Sequence, residues 1–168
     1  MPKSIYLIGS LRNNKAVNRL AVALRKEGYD VFDDYSSSGP NADDHWKEYS
    51  QGRGQTYEEA LNSYAAEHAF AFDKHHLDRC DIGILAHPAG KSCHLELGYL
   101  LGQGKPGIIY WPKGAPPKDR WDLMTKFARR AYSFDGLLAE LRNIEHQEAY
   151  VANKLSRIAD DIRKEQGF

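Results

Sequence analysis

Two acids carry most of the chemical information in the chain. Glu96 lies in Ser92-Cys93-His94-Leu95-Glu96-Leu97-Gly98-Tyr99, in the first turn of a helix expected to begin directly after a buried strand. Its neighbours Leu95, Leu97, Leu100 and Leu101 make that helix largely apolar, so an ionised carboxylate there is costly unless it faces a cleft. A helix N-terminus favours the ionised form by about 0.3–1 kcal/mol at an exposed site, and an ionised carboxylate at a cleft is a competent nucleophile. Position alone also allows Glu96 to be a surface complement to the helix dipole. Asp73 comes late in a long helical pattern, where a negative charge opposes the dipole. It is either a solvated helix residue or an acid placed for function. Two carboxylates at one pocket suit glycosidic cleavage, one attacking or stabilising an oxocarbenium-like centre and the other moving a proton.

Rival chemistries lack their residues. No Gly-x-Gly-x-x-Gly follows the first strand pattern, and Gly102-Gln103-Gly104-Lys105 is followed by Pro106 where a phosphate loop needs Ser or Thr. Neither a Gly-x-Ser-x-Gly elbow nor a His-Glu-x-x-His motif is present. Cys80, His87, Cys93 and His94 lack the paired spacing of a zinc site, and the two cysteines are expected as buried, reduced thiols. The chemistry calls for no metal and no organic cofactor.

The chain around these acids has 168 residues, 42% hydrophobic and 27% charged, enough for one domain spanning 1–168 with its own core. Its 23 Lys+Arg balance 23 Asp+Glu, which removes the long-range attraction that nucleic-acid polymers and anionic membranes depend on. No apolar run approaches a membrane span, and Met1-Pro2-Lys3-Ser4 leads into a strand-like segment rather than a signal peptide. A cytoplasmic protein is expected.

Strand-like runs alternate with helical patterns, the signature of a parallel sheet with helices on its faces. Strands are expected at Ser4–Gly9, Asp30–Asp34, Asp81–Ala86, Pro106–Trp111 and Ala131–Phe134. Helices are expected at Lys15–Glu27, Thr56–Arg79 and Cys93–Leu101, the last capped by Ser92, with one or two more over Asp135–Glu165. Tyr35–Gln55, rich in Ser, Gly, Pro, Asn and charge, is expected as a long loop. The predicted fold is a three-layer flavodoxin-like or Rossmann-like α/β domain with a five-stranded, mostly parallel sheet. Such a sheet binds ligands at the carboxyl ends of its strands, where strand order reverses. Three loops are therefore placed to matter: Gly9–Asn14, Tyr35–Gln55 and His87–Ser92, the last including Gly90. Within the second, Asp43 or Asp44 could hydrogen-bond a base edge and Trp46 could stack on it; an ordered surface turn is the plainer alternative. Asp81, at the start of a strand, is at the wrong end for the pocket. Trp111, Trp121 and Tyr132 are expected in the core or a subunit interface.

Ile5-Tyr6-Leu7-Ile8-Gly9-Ser10, Asp73 eight positions before Asp81, and Ser92 to Tyr99 followed by Gly104-Lys105-Pro106 together resemble the nucleoside 2-deoxyribosyltransferase family, whose superfamily includes nucleotide N-glycosidases. The resemblance covers roughly Ser4 to Tyr110. It implies that Glu96 captures the sugar at C1′, that Asp73 handles the proton of the departing or incoming base, and that Tyr6 holds the Glu96 carboxylate. Gly9-Ser10-Leu11-Arg12 looks more like the Gly-Ser-Ile-Arg loop of the monophosphate glycosidases, so Arg12 and Ser92 would meet a 5′-phosphate. His94 departs from the best-known transferases and either contacts substrate or caps its helix. The partners implied are a small nucleoside or nucleotide and a free base, with a homo-oligomer whose neighbouring subunit helps close each pocket. The apolar-striped C-terminal helices are the candidate interface. A rival from another class is a non-catalytic nucleotide-binding module on the same fold.

Overall fold

The computed structural model describes residues 3–33 and 42–165, with residues 42–44, 159–162, 164 and 165 described as backbone only. Strand β1 (Ser4–Gly9) passes through a 3-10 turn at Leu11–Asn13 into helix α1 (Asn14–Lys26), and β2 (Asp30–Asp33) follows. Helices α2 (Ala42–Gly52), α3 (Tyr57–Leu61) and α4 (Tyr64–Arg79) come before β3 (Ile82–Ala86). Then follow α5 (Lys91–Gly102), β4 (Gly107–Tyr110), 3-10 turns at Lys118–Arg120 and Leu123–Phe127, β5 (Arg129–Ala131) and α6 (Phe134–Glu165). The strands form one sheet in the order β2-β1-β3-β4-β5, every pair parallel. The alternation read from sequence produces this because parallel neighbours require crossover helices.

Period-two side chains divide the sheet between two cores. Ile5, Leu7, Ile82, Ile84 and Ile108 point to one face, where Val17, Leu20 and Leu24 of α1 and Leu137, Leu141 and Ile144 of α6 close an aliphatic core. Tyr6, Ile8, Leu85 and Ile109 point to the other, against Leu77 of α4 and Cys93, Leu97 and Leu100 of α5. Helix α5 rides low on that face because two strand positions have no side chain. A Cβ on Gly83 would stand 2.6 Å from Leu100 Cδ1, and one on Gly107 2.8 Å from Leu97 Cδ1.

Several boundaries differ from expectation, each for a local reason. The segment expected as a long loop contains α2. The single helix expected over 56–79 breaks at Asn62-Ser63. Thr56 and Glu59 form a reciprocal capping box for α3, the Asn62 amide donates back to the Glu58 carbonyl at 2.8 Å, and Ser63 Oγ accepts the Ala66 N–H as the new cap. The hydrophobic spacing of Ala60, Leu61 and Tyr64 runs through this break and conceals it. Gly90, not Ser92, is the N-cap of α5, so Glu96 falls in the second turn of the helix and not in the first turn expected from the sequence. Strand β5 starts two residues earlier and ends three residues earlier than predicted, on a short edge bearing Arg129 and Arg130, which discourages further pairing. The C-terminal segment is one helix. Asp81 ties the starts of β1 and β3 together at the predicted structural end, accepting from Ser4 N–H at 2.8 Å and Ser4 Oγ–H at 2.9 Å. Both cysteines are buried free thiols. Among the described residues, no helix is long and apolar enough to cross a membrane.

Candidate functional site

Helices α4 and α5 both return from the carboxyl edge of a parallel sheet, so they run side by side in the same direction. Their register is fixed by one acid. Asp78 Oδ1 accepts from Tyr99 Oη–H at 2.6 Å and Gln103 Nε2–H at 2.9 Å, and Asp78 Oδ2 pairs with Lys74 Nζ at 2.5 Å. Lys105 Nζ donates to the Leu77 and Asp78 carbonyls at the same level. Lys74, then Tyr99 and Gln103, hold the Asp78 carboxyl well below the usual carboxylate range, and Asp78 in turn raises Lys74. These groups are exposed, so their value lies in alignment more than in stability.

That alignment locates the two acids of interest. Asp78 is level with the turn from Tyr99 to Gln103, whose midpoint is Leu101. Five residues towards each N-terminus, a rise of about 7.5 Å, lie Asp73 on α4 and Glu96 on α5. Glu96 is three and seven residues before Tyr99 and Gln103, hence on the side of α5 that faces α4. Asp73 falls on the same stripe of α4 as buried Ala66 and Leu77, the side towards the sheet. Both acids are half-buried. Both helices also touch β1, and ideal helix geometry gives the two acids about the same height on neighbouring helices.

Tyr6, with Ile8, is a buried β1 residue on this face, 1% exposed. Its ring lies 5.0 Å from that of Phe32, its register partner on β2. Phe32 is stacked in turn by His76 at 3.7 Å and 13°, and Phe72 closes the group. His76 Nδ1 is buried with no hydrogen-bond partner among the described residues. Burial, followed by the charges of Arg79 and His75, pushes the His76 imidazole down, which favours its neutral form. The sequence analysis missed this cluster. Its only local signal is the Phe72/His76 spacing of four residues.

The phosphate-loop candidates lie at the carboxyl edge, on both sides of the β1/β3 crossing. Gly9 ends β1 where α1 comes close, and a Cβ there would stand 2.4 Å from Val17 Cγ2. Ser10 Oγ accepts the Arg12 N–H at 3.3 Å and caps the 3-10 turn, so this hydroxyl holds the loop. Leu11 is half-buried, and exposed Arg12 has no side-chain partner among the described residues. Across the crossing, Gly90 begins α5 without a side-chain cap, leaving exposed Lys91 and Ser92 in the first turn. His94 bonds through Nδ1 to the Gly90 carbonyl at 2.7 Å. A carbonyl can only accept, so the proton is on Nδ1. His87, stacked on Trp111 at 5.0 Å, is pushed down by burial and then by His94.

Trp46 is half-buried on α2, while the side chains of Asp43 and Asp44 and all of residues 38–41 fall outside the described residues. Trp111 belongs to the core, Trp121 is exposed and Tyr132 is partly exposed. Among the described residues, no group of three or more His, Cys, Asp or Glu side chains is placed to hold a metal ion.

A parallel sheet ordered 2-1-3-4-5, with helices on both faces and candidate loops at the β1/β3 switch point, defines a flavodoxin-like α/β protein. Among solved structures, the chain is similar to a CMP N-glycosidase of Clostridium botulinum, at 14% identity and a TM-score of 0.48, over 84% of this chain and 99% of that one. It is also similar to a 2-deoxyribosyltransferase of the psychrotolerant bacterium Bacillus psychrosaccharolyticus, at 19% identity and a TM-score of 0.43, over 77% of this chain and 98% of that one. No protein-family model matches the chain, and no curated protein matches it.

Proposed function

We propose that the protein cleaves or transfers the N-glycosidic bond of a (deoxy)nucleoside through a covalent glycosyl-enzyme. What supports this reading is the Asp78 cross-link between the two helices, which by helix geometry gives Asp73 and Glu96 a common height. The sequence resemblance supports the same pair. In the first step a Glu96 carboxylate oxygen attacks C1′ as the C1′–N bond breaks. The bonding electrons pass to the base nitrogen, which takes a proton from Asp73. A second base or water then attacks C1′, Asp73 accepts its proton, and Glu96 departs as carboxylate. Tyr6, on β1, orients the Glu96 carboxylate. This chemistry uses side chains of the chain alone. A homo-oligomer is part of the reading, because Val151, Leu155 and Ile158 of α6 present an exposed apolar stripe.

A second reading, a (deoxy)nucleoside 5′-monophosphate N-glycosidase, has its own supporting observation. Arg12 has no side-chain partner among the described residues, and the first turn of α5 across the crossing has no side-chain cap. Arginine and backbone N–H groups are suited to a phosphate. Ser92 and His94 would complete that end of the site. Incubation with a deoxynucleoside or its monophosphate, together with a second free base, tests both readings. Exchanged nucleoside indicates transfer and free sugar indicates hydrolysis. Tight binding with no base released from either substrate would leave a nucleotide-binding module instead. Arg12→Ala is expected to lower kcat/KM for the monophosphate by about ten-fold or more, and for the nucleoside much less. An equal loss on both removes the phosphate role.

A further inference from the structure

The carboxyl ends of β3, β4 and β5 carry a ladder of flat rings. His87 stacks on Trp111 with planes 5° apart, and Trp111 stacks on Tyr132 at 5.5 Å and 19°. The ladder opens into a cavity of about 600 Å3, lined among others by Trp111, Tyr132, Trp121, Arg120, Arg130 and Asp122. Small-molecule sites typically enclose about 300–1,000 Å3.

The polar groups of this slot are not all occupied. Trp111 is nine-tenths buried and lines the slot. Trp121, also in the lining, is 70% exposed, and Tyr132 leaves the end of the ladder partly open. The Arg120 guanidinium has no partner among the described residues. Arg130 is held only by long contacts of 3.3 and 3.4 Å to the Thr125 and Ala128 carbonyls. Asp122, the acid in the lining, accepts the Met124 N–H at 2.8 Å as the cap of its 3-10 turn. Flat rings thus meet a positive charge excess.

We propose that this slot is a second small-molecule site, for a planar aromatic ring carrying a phosphate or carboxylate. The ring would stack on Trp121 and Tyr132, as bases and heterocycles do on aromatic side chains. The anion would meet Arg120 and Arg130 in charge-assisted hydrogen bonds, which add to cation–π attraction at the ring face. The lining of the slot does not include Asp73, Glu96 or Tyr6, although the far end of the ladder, His87, meets the His94 ring at 5.7 Å, and binding there does not depend on the proposed reaction.

The test uses the full-length protein and the indole N–H resonances of its three tryptophans, Trp46, Trp111 and Trp121. Four probes are titrated: AMP and quinoline-2-carboxylate, each a ring plus an anion; adenosine, a ring alone; and ribose 5-phosphate, an anion alone. Quinoline-2-carboxylate has no glycosidic bond, so its binding is independent of any base release. Both ring-anion probes are expected to shift Trp111 and Trp121 saturably, with the two controls about ten-fold weaker. Arg120→Ala is expected to weaken quinoline-2-carboxylate about ten-fold while leaving adenosine unchanged. The proposal is overturned if the ring-anion probes leave both indoles unmoved, or if either control binds equally well. It is also overturned if the same indoles shift on raising protein concentration without ligand, since the slot would then be covered by a second copy.

Discussion

The two faces of the sheet are built for different ends. On the α1/α6 face the buried residues are almost all aliphatic and the helices lie directly on the strands. On the α4/α5 face the core is smaller and includes Tyr6, Trp111 and two cysteines, with Phe32 at its margin. Asp73, His76, His94 and Glu96 lie on the two helices of this face, and His87 stacks on Trp111. The closed face contributes burial at about 25 cal/mol per Å2 of apolar surface. The open face gives up part of that burial to hold polar groups at defined heights, which is what a reaction site needs.

The contrast can be broken most severely at Glu96. Glu96→Ala is expected to lower base release by about 10^3-fold or more while leaving the urea midpoint nearly unchanged. Substantial turnover in that variant would end the nucleophile assignment. Leu141→Ala, on a fully buried α6 position of the closed face, is expected to cost about 2–5 kcal/mol. The same truncation at Phe72, 36% exposed on the open face, should cost clearly less. Comparable losses in urea denaturation would erase the distinction between the faces.

Gly83→Ala connects the two properties. Its Cβ would meet Leu100 at 2.6 Å, so α5 must lift or Leu100 must leave its rotamer, at about 1–3 kcal/mol. Because Glu96 rides on α5, kcat should fall more than stability alone explains. An unchanged kcat in a destabilised but folded variant would show that the height of α5 is not critical. The smallest effect concerns pH. Burial pushes both His76 and His87 down from the ordinary histidine value. As pH falls below the ordinary histidine range near 6.5, the unfolded chain takes up protons that the folded imidazoles resist, so stability decreases. Above pH 7 neither group contributes a slope. His87→Phe keeps a flat ring on Trp111 and should flatten the decline between pH 7 and pH 5, read as the shift in urea midpoint.

Much of this architecture is legible in the residues. The strand Ile82–Ala86 is apolar throughout because it is buried on both faces, and the β/α alternation is enough to indicate a parallel sheet. The break at Asn62-Ser63 is hidden because side-chain caps interrupt the backbone without interrupting hydrophobic spacing. Helix α2 is hidden because its composition resembles a loop. Asp73 and Glu96 stand out individually, by their awkward positions on helices. Their common height does not, since it depends on Asp78 meeting Tyr99 and Gln103, contacts more than twenty residues apart in the chain. The stacking of His76 on Phe32 and the ladder on Trp111 are likewise products of tertiary packing.

The central claim, that a Glu96 carboxylate takes up the sugar, is tested most directly by mass. The protein is mixed with a deoxynucleoside, quenched in acid within milliseconds to seconds, and digested. The account predicts a deoxyribosyl increment on the peptide containing Glu96, absent from Glu96→Ala and depleted when a second base is added before the quench. Base release by the wild-type protein with the increment on another residue, or with none at any quench time, would contradict it.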